Sequence, residues 1–127
     1  MIGYVTLGTN DLARSVAFYD ELLATIGASR FLEMETFVAW TTSPNQPGLS
    51  VTKPFDGNTA SVGNGVMVAL ELDSNEQVNA FYEKAMSLGA TCEGKPGPRG
   101  ELSGFYAGYF RDLDGNKLNA FHITAGE

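Results

Sequence analysis

One strand-into-helix segment occurs twice in this chain, and that duplication constrains the fold more than any other feature. The first copy opens on Tyr4-Val5-Thr6-Leu7-Gly8 and reaches Ala17-Phe18-Tyr19; the second opens on Met67 and reaches Ala80-Phe81-Tyr82. Tyr4 stands over Met67, Asn10 over Asp73 and the two Ala-Phe-Tyr triplets over each other, at one ungapped offset of 63. Each copy then runs to a Gly-Ala pair, Gly27-Ala28 and Gly89-Ala90. A period of about half the chain predicts two similar modules sharing one core rather than a stack of short repeats.

Local patterns fill in each module. Val5 and Leu7 alternate with Tyr4, Thr6 and Gly8, a half-buried strand. Asn10 or Asp11 can cap the helix that follows. Its expected apolar stripe is Leu12, Val16, Tyr19, Leu23 and Ile26, with Gly27 as the stop. Strands are predicted over 29–34, 36–42 and 49–52. Residues 53–65, rich in Gly, Asn and Pro, read as a connection. In the second module a strand over 66–72 precedes a helix with a capping box at Asp73 and Glu76 and a stripe of Val78, Phe81, Tyr82, Ala85 and Met86. Further strands are expected over 90–93, 105–112 and 117–123. The run Gly94-Lys95-Pro96-Gly97-Pro98-Arg99-Gly100 reads as a loop, because prolines cannot sit in a central strand. Each half is therefore strand–helix–strand–strand–strand. The fold class is α+β: a single domain of module one (1–53), a linker (54–65) and module two (66–127), forming a cupped mixed sheet around a cleft with the helices on its outer face.

Composition narrows the function classes. The 127 residues carry a formal charge of −7, so a nucleic-acid partner is not expected, since phosphate binding needs a basic patch. No apolar run approaches the length needed to cross a bilayer, so no membrane association is expected. No basic stretch followed by a long apolar run opens the chain, so no secretory leader is expected. The single cysteine, Cys92, precludes an internal disulfide and points to a reducing, cytoplasmic location. Cys92 itself reads as an inert buried thiol.

Strand periodicity also assigns faces. Val5 and Leu7 belong under the first helix, so Tyr4, Thr6 and Gly8 point the other way; Met67, Ala69 and Glu71 do the same in the second module. The two faces turned away from the helices are expected to meet around the ligand cleft. On three segments the chain resembles the vicinal oxygen chelate superfamily, the glyoxalase / bleomycin-resistance / extradiol-dioxygenase group. These are Tyr4-Val5-Thr6-Leu7-Gly8 with Asp11 to Tyr19, Lys53-Pro54-Phe55-Asp56-Gly57, and Tyr106 to Leu118. The resemblance covers the whole chain. It implies paired βαβββ modules, commonly a homodimer, and in many members a divalent metal held by His and Glu of the first and last strands.

Carried onto this sequence, those ligand positions fall on Tyr4, Met67, Asn119 and, through the repeat, on or near Ser50. None is an imidazole, carboxylate or thiolate, so neither a metal nor another cofactor is expected. The one histidine, His122, has the opposite face parity from Asn119. Asp112-x-Asp114-Gly115 reads as a hairpin turn rather than a calcium loop, for it lacks a third acidic ligand and the closing Glu. Lys95 and Arg99, in a Gly/Pro loop, could grip an anion, but a solvated mobile loop is the favoured reading. Phe37 and Phe105 are open to either core or cleft. The expected ligand-binding set is Tyr4, Thr6, Trp40, Ser50, Met67, Glu71, Tyr109, Arg111, Asn119 and Phe121. The function this points to is metal-free binding of an apolar-aromatic or cationic small molecule in the inter-module cleft. The alternative is a glyoxalase-like lyase or isomerase acting on a small carbonyl or thiol adduct. In it Glu71 would be the base, and Tyr4, Asn119 and Arg111 the hydrogen-bond donors.

Overall fold

The structure is a computed structural model that describes residues 1–100 and 103–124. It divides into two compact units, Met1–Asn64 and Gly65–Glu127. Each is a four-stranded mixed sheet with one helix, so the chain is α+β and built of two βαβββ modules.

In the first unit, β1 (Tyr4–Gly8) leads into α1 (Leu12–Ala24), followed by β2 (Ser29–Met34), β3 (Phe37–Thr41) and β4 (Gly48–Thr52). The sheet order is β1-β4-β3-β2, with β1 parallel to β4 and the other pairs antiparallel. A parallel neighbour needs a crossover, and the α1–β2–β3 excursion supplies it. Of the two possible caps it is Asp11 that acts: its extended backbone precedes the helix and its side chain accepts the N–H of Arg14. The helix ends as Gly27 turns to φ 82°, a conformation that favours glycine.

The buried face of α1 differs from the expected stripe. Ser15, Phe18, Tyr19, Leu22 and Leu23 are buried, while Leu12 and Val16 lie at its margin. These residues close on Leu7, Val38, Trp40, Leu49 and Val51 from the sheet, all buried. Each large apolar side chain taken from water there contributes about 1.5–3 kcal/mol.

The second unit repeats the plan with β5 (Val68–Glu71), α2 (Asn75–Ser87), β6 (Thr91–Pro98), β7 (Phe105–Arg111) and β8 (Lys117–Ile123), in the order β5-β8-β7-β6. Here Val78, Phe81, Tyr82 and Ala85 of the expected stripe are buried, and Met86 is half-buried at its margin. The buried four lie 63 residues on from Ser15, Phe18, Tyr19 and Leu22, so the repeat extends to the packing surface of both helices. The α2 cap lies one residue beyond the expected pair. Ser74 accepts from the Gln77 N–H at 3.0 Å, and the Gln77 side chain accepts from the Asp73 N–H at 2.7 Å. The second bond reaches the residue before the cap rather than the cap itself, a variant of the reciprocal capping box.

The larger departure is β6. The glycine- and proline-rich run from Gly94 to Pro98 continues the strand instead of forming a loop. It does so at the sheet edge, where a missing N–H costs no ladder bond, and with register shifts on either side of Gly94. Gly108 on β7 accommodates it, since a Cβ there would lie 2.9 Å from the Pro96 ring.

Candidate functional site

Strand pairing fixes which side chains leave the sheets on the faces away from the helices. In the first unit Tyr4, Thr6 and Gly8 share that open face with Gly48, Ser50 and Thr52 of β4 and with Phe37 and Ala39 of β3. Ser50 donates to the Val5 carbonyl at 3.0 Å. Its single proton is thereby used, so in the 2.8 Å contact between the two hydroxyls Thr6 donates and Ser50 accepts. The Ser50 side chain is fully buried and its bonds are made within the unit. Tyr4 and Phe37, from the strands either side of β4, bring their rings edge to face at 6.2 Å. Tyr4 is 60% exposed, and its ring offers apolar area with a polar tip. A bulge between Arg30 and Leu32 turns Phe31 onto the same face, where its ring occupies the space a side chain at Gly48 would need.

Trp40 is not on this face. It has the parity of Val38 and Leu49, is 2% exposed, and tilts against Tyr19 of α1 at 5.8 Å. Its indole N–H needs an acceptor once buried, and Asp20 of α1 provides one at 2.8 Å. Asp20 also receives two bonds from Arg30, which in turn reaches Glu33. The Arg30 guanidinium, helped by the Trp40 N–H and against some burial, holds the Asp20 carboxyl below the usual carboxylate range. An indole donor between a helix and a strand is thus a structural tie. Alternation counted along 37–41 places Trp40 with Val38, the side that packs on the helix.

In the second unit the open face carries Ala69 and Glu71 of β5, Lys117, Asn119 and Phe121 of β8, and Phe105, Ala107, Tyr109 and Arg111 of β7. Met67 immediately precedes β5 and is exposed. Register makes Asn119 the counterpart of Ser50: Thr6 pairs with Ser50, and Ala69, 63 residues after Thr6, pairs with Asn119. The two counterparts differ in satisfaction. Asn119 is 2% exposed and its Oδ1 has no hydrogen-bond partner among the described residues; Ala69, opposite it, has no hydroxyl to offer.

Around Asn119 the face is polarised. Towards the start of β8 the Lys117 ammonium lies 5.7 Å from the centre of the Tyr109 ring, and the Arg99 guanidinium lies 5.2 Å from the same ring. Arg99 is no solvated loop residue: its Nε donates to the Ala107 carbonyl at 3.2 Å, and a further N–H reaches the Lys95 carbonyl. Gly94 makes the room, since a Cβ there would lie 3.2 Å from the Arg99 guanidinium. Arg111 is tied to Glu93 and to the Gly115 carbonyl. Towards the end of β8, Phe105 and Phe121 stack at 5.4 Å. Glu71 pairs with Phe121 in register and is exposed. Sequence reading missed Lys117, although its parity with Asn119 was available from alternation along 117–123.

The remaining candidates have structural roles. His122 faces the helix side with Tyr106, and its Nδ1 donates to the Leu72 carbonyl at 3.0 Å, which fixes the tautomer. The Asp112 carboxylate accepts the N–H groups of Asp114 and Asn116 at 2.9 Å and closes the hairpin turn at Gly115. Cys92 is exposed rather than buried. Its thiol meets Tyr82 of α2; that hydrogen bond, with burial, pushes the Tyr82 phenol up to about 12.

The divalent metal implied by the family resemblance does not fit these residues. The four positions supply a phenol, a thioether, a carboxamide and the hydroxyl of Ser50, whose bonds are already made. Among the described residues no three His, Cys, Asp or Glu side chains gather into a cluster that could hold a metal. Zn, Ni, Mn and Fe sites are built from imidazole, carboxylate or thiolate.

Comparison with known proteins agrees with the topology. The family model described as Glyoxalase/Bleomycin resistance protein/Dioxygenase superfamily matches residues 1–120. A glyoxalase/bleomycin resistance protein from Albidiferax ferrireducens T118 is 36% identical, with a TM-score of 0.86, over 98% of this chain and 99% of that one. A lactoylglutathione lyase from Agrobacterium tumefaciens shares the fold at 19% identity and a TM-score of 0.70, over 96% of this chain and 92% of that one. So does the fosfomycin resistance protein FosX from Listeria monocytogenes, at 17% identity and a TM-score of 0.70, over 98% and 94% of the two chains. No curated protein sequence matches the chain.

Proposed function

Because the chain belongs to the Glyoxalase/Bleomycin resistance protein/Dioxygenase superfamily, we propose that it is a small-molecule binder of that group that works without a metal. The observation that carries this reading is chemical. Each open face presents a ring pair, Tyr4–Phe37 in one unit and Phe105–Phe121 in the other. The positions where relatives would be expected to chelate hold groups that do not. Ring pairs of this kind hold an apolar or aromatic ligand by burial and stacking. The similar proteins include both an enzyme and resistance proteins, and the missing chelators favour binding over lyase or isomerase chemistry here.

Two further parts of the reading have their own support. A homodimer would use β2, an edge strand whose six residues are all exposed, Phe31, Leu32 and Met34 among them. Unpaired edges of this kind invite pairing with another chain, and sedimentation velocity measures the state. A cytoplasmic location is supported by the single unpaired cysteine; among the described residues no helix is long and apolar enough to cross a membrane.

The test is elemental analysis of protein purified without chelators, followed by a thermal-shift screen of small aromatic compounds on the same sample. The expected result is metal-free protein stabilised by a subset of the compounds, by about 2.7 kcal/mol at ~100 Kd of ligand. Stoichiometric Zn, Ni, Mn or Fe whose removal abolishes ligand binding overturns the reading.

A further inference from the structure

We propose that the open face of the second sheet takes a small aromatic carboxylate. The acid group lies at Lys117 and Arg99, the ring on Phe105 and Phe121, and Asn119 forms the polar floor between them. The inference rests on the small-molecule reading above and adds the ligand's charge. Three independent observations meet here.

The first is Asn119. A buried polar atom costs stability unless something bonds it, and native structures rarely leave one alone. Its counterpart Ser50 shows how this position is closed within the unit, by bonds to Thr6 and Val5. In the second unit Ala69 offers no such closure, and among the described residues Oδ1 has no partner. A hydroxyl or N–H beside the ligand's acid group would supply the donor.

The second is charge placement. Lys117 stands directly opposite Arg111 in register, and like charges so placed repel. Glu93 answers Arg111. Lys117 has no carboxylate partner among the described residues and rests over the Tyr109 ring, which Arg99 also flanks. Two cations gathered on one ring, in a chain of net charge −7, form a local anion site against the overall field. They argue against a cationic ligand on this face. Carboxylates form short, strong bonds with both ammonium and guanidinium groups.

The third is the apolar end. Residues two apart on one face of a strand are separated by roughly 7 Å, so Asn119 stands about that far from both Lys117 and Phe121 along β8. A ring joined to an acid group by a short chain bridges the three positions.

The experiment is isothermal titration calorimetry on the metal-free 127-residue chain with four probes: 3-phenylpropanoate, 3-phenyllactate, 3-phenylpropanamide and phenethylamine. The acids are expected to bind at least about tenfold tighter than the amide, and the amine weakest. Lys117→Gln should remove most of that preference. The phenyllactate hydroxyl should add about fivefold in the parent protein and nothing in Asn119→Ala. Circular dichroism and melting curves establish that both variants are folded. If the amide or amine binds as well as the acids, or Lys117→Gln leaves acid affinity intact, the charge assignment falls while small-molecule binding stands. If none of the four binds, the aromatic-carboxylate assignment falls, and the thermal-shift screen decides small-molecule binding separately.

Discussion

The indole of Trp40 shows how one donor decides where a side chain belongs. Among the described residues its N–H is satisfied only by Asp20, so Asp20→Ala leaves it buried without that acceptor and removes the Asp20 bonds of Arg30. The expected loss is about 1–3 kcal/mol, most of it from the orphaned donor, because exposed ion pairs contribute little. Asp20→Asn keeps an acceptor oxygen and should lose less; chemical denaturation of both variants measures the difference. The lowered Asp20 pKa gives the pH sign. Its stabilising contribution is complete above the ordinary aspartate range and is lost as pH falls through the depressed folded value. Acid titration of stability in the parent and Asp20→Asn should therefore converge at low pH. Trp40 was misassigned from sequence because aromatics serve cores and ligand sites equally, and residue type alone does not separate the two. Tyr4, Thr6, Ser50, Glu71, Tyr109, Arg111, Asn119 and Phe121 were separable by parity, and register puts each on the face that parity predicts.

Among the elements, β6 and α2 are the instructive pair. Proline and glycine forbid a central strand but not an edge one, so the run from Gly94 to Pro98 could be placed only once sheet order was known. The α1 stripe was legible in principle. Subtracting the 63-residue offset from the cleaner α2 pattern gives Ser15, Phe18, Tyr19 and Leu22, the residues that are buried. Reading α1 by hydrophobicity alone passed over Ser15. The contact between Tyr82 of α2 and Cys92 of β6 carries its own prediction. A phenol near 12 in the folded state and near 10 unfolded binds its proton more tightly when folded. Its contribution is fully present below about pH 10 and is lost as pH rises towards the folded value. Base-induced unfolding should begin in that window, and Tyr82→Phe should flatten this part of the pH–stability curve.

For the whole molecule, the duplicated βαβββ plan was legible from the offset alone, and the family followed from three short segments. Residue-by-residue transfer from the family puts Tyr4, Ser50, Met67 and Asn119 where its chelators would be expected. The polarity of the second open face was not legible, since it depends on a register pairing and on Arg99 folding back over Gly94. A chelator provides a test at this scale: dialysis against EDTA should leave both the melting temperature and ligand affinity unchanged.

The two halves also treat one equivalent position in opposite ways. The Thr6–Ser50 clasp is complete in itself, whereas Ala69 and Asn119 leave an atom waiting. Mutational tolerance should therefore be lopsided between twin positions. Replacements at Thr6 and Ser50 should lower how much protein accumulates in cells. Replacements at Ala69 and Asn119 should spare abundance and change which compounds are retained. A duplicated fold of this kind lets one half hold its shape while its twin is free to diverge in what it recognises.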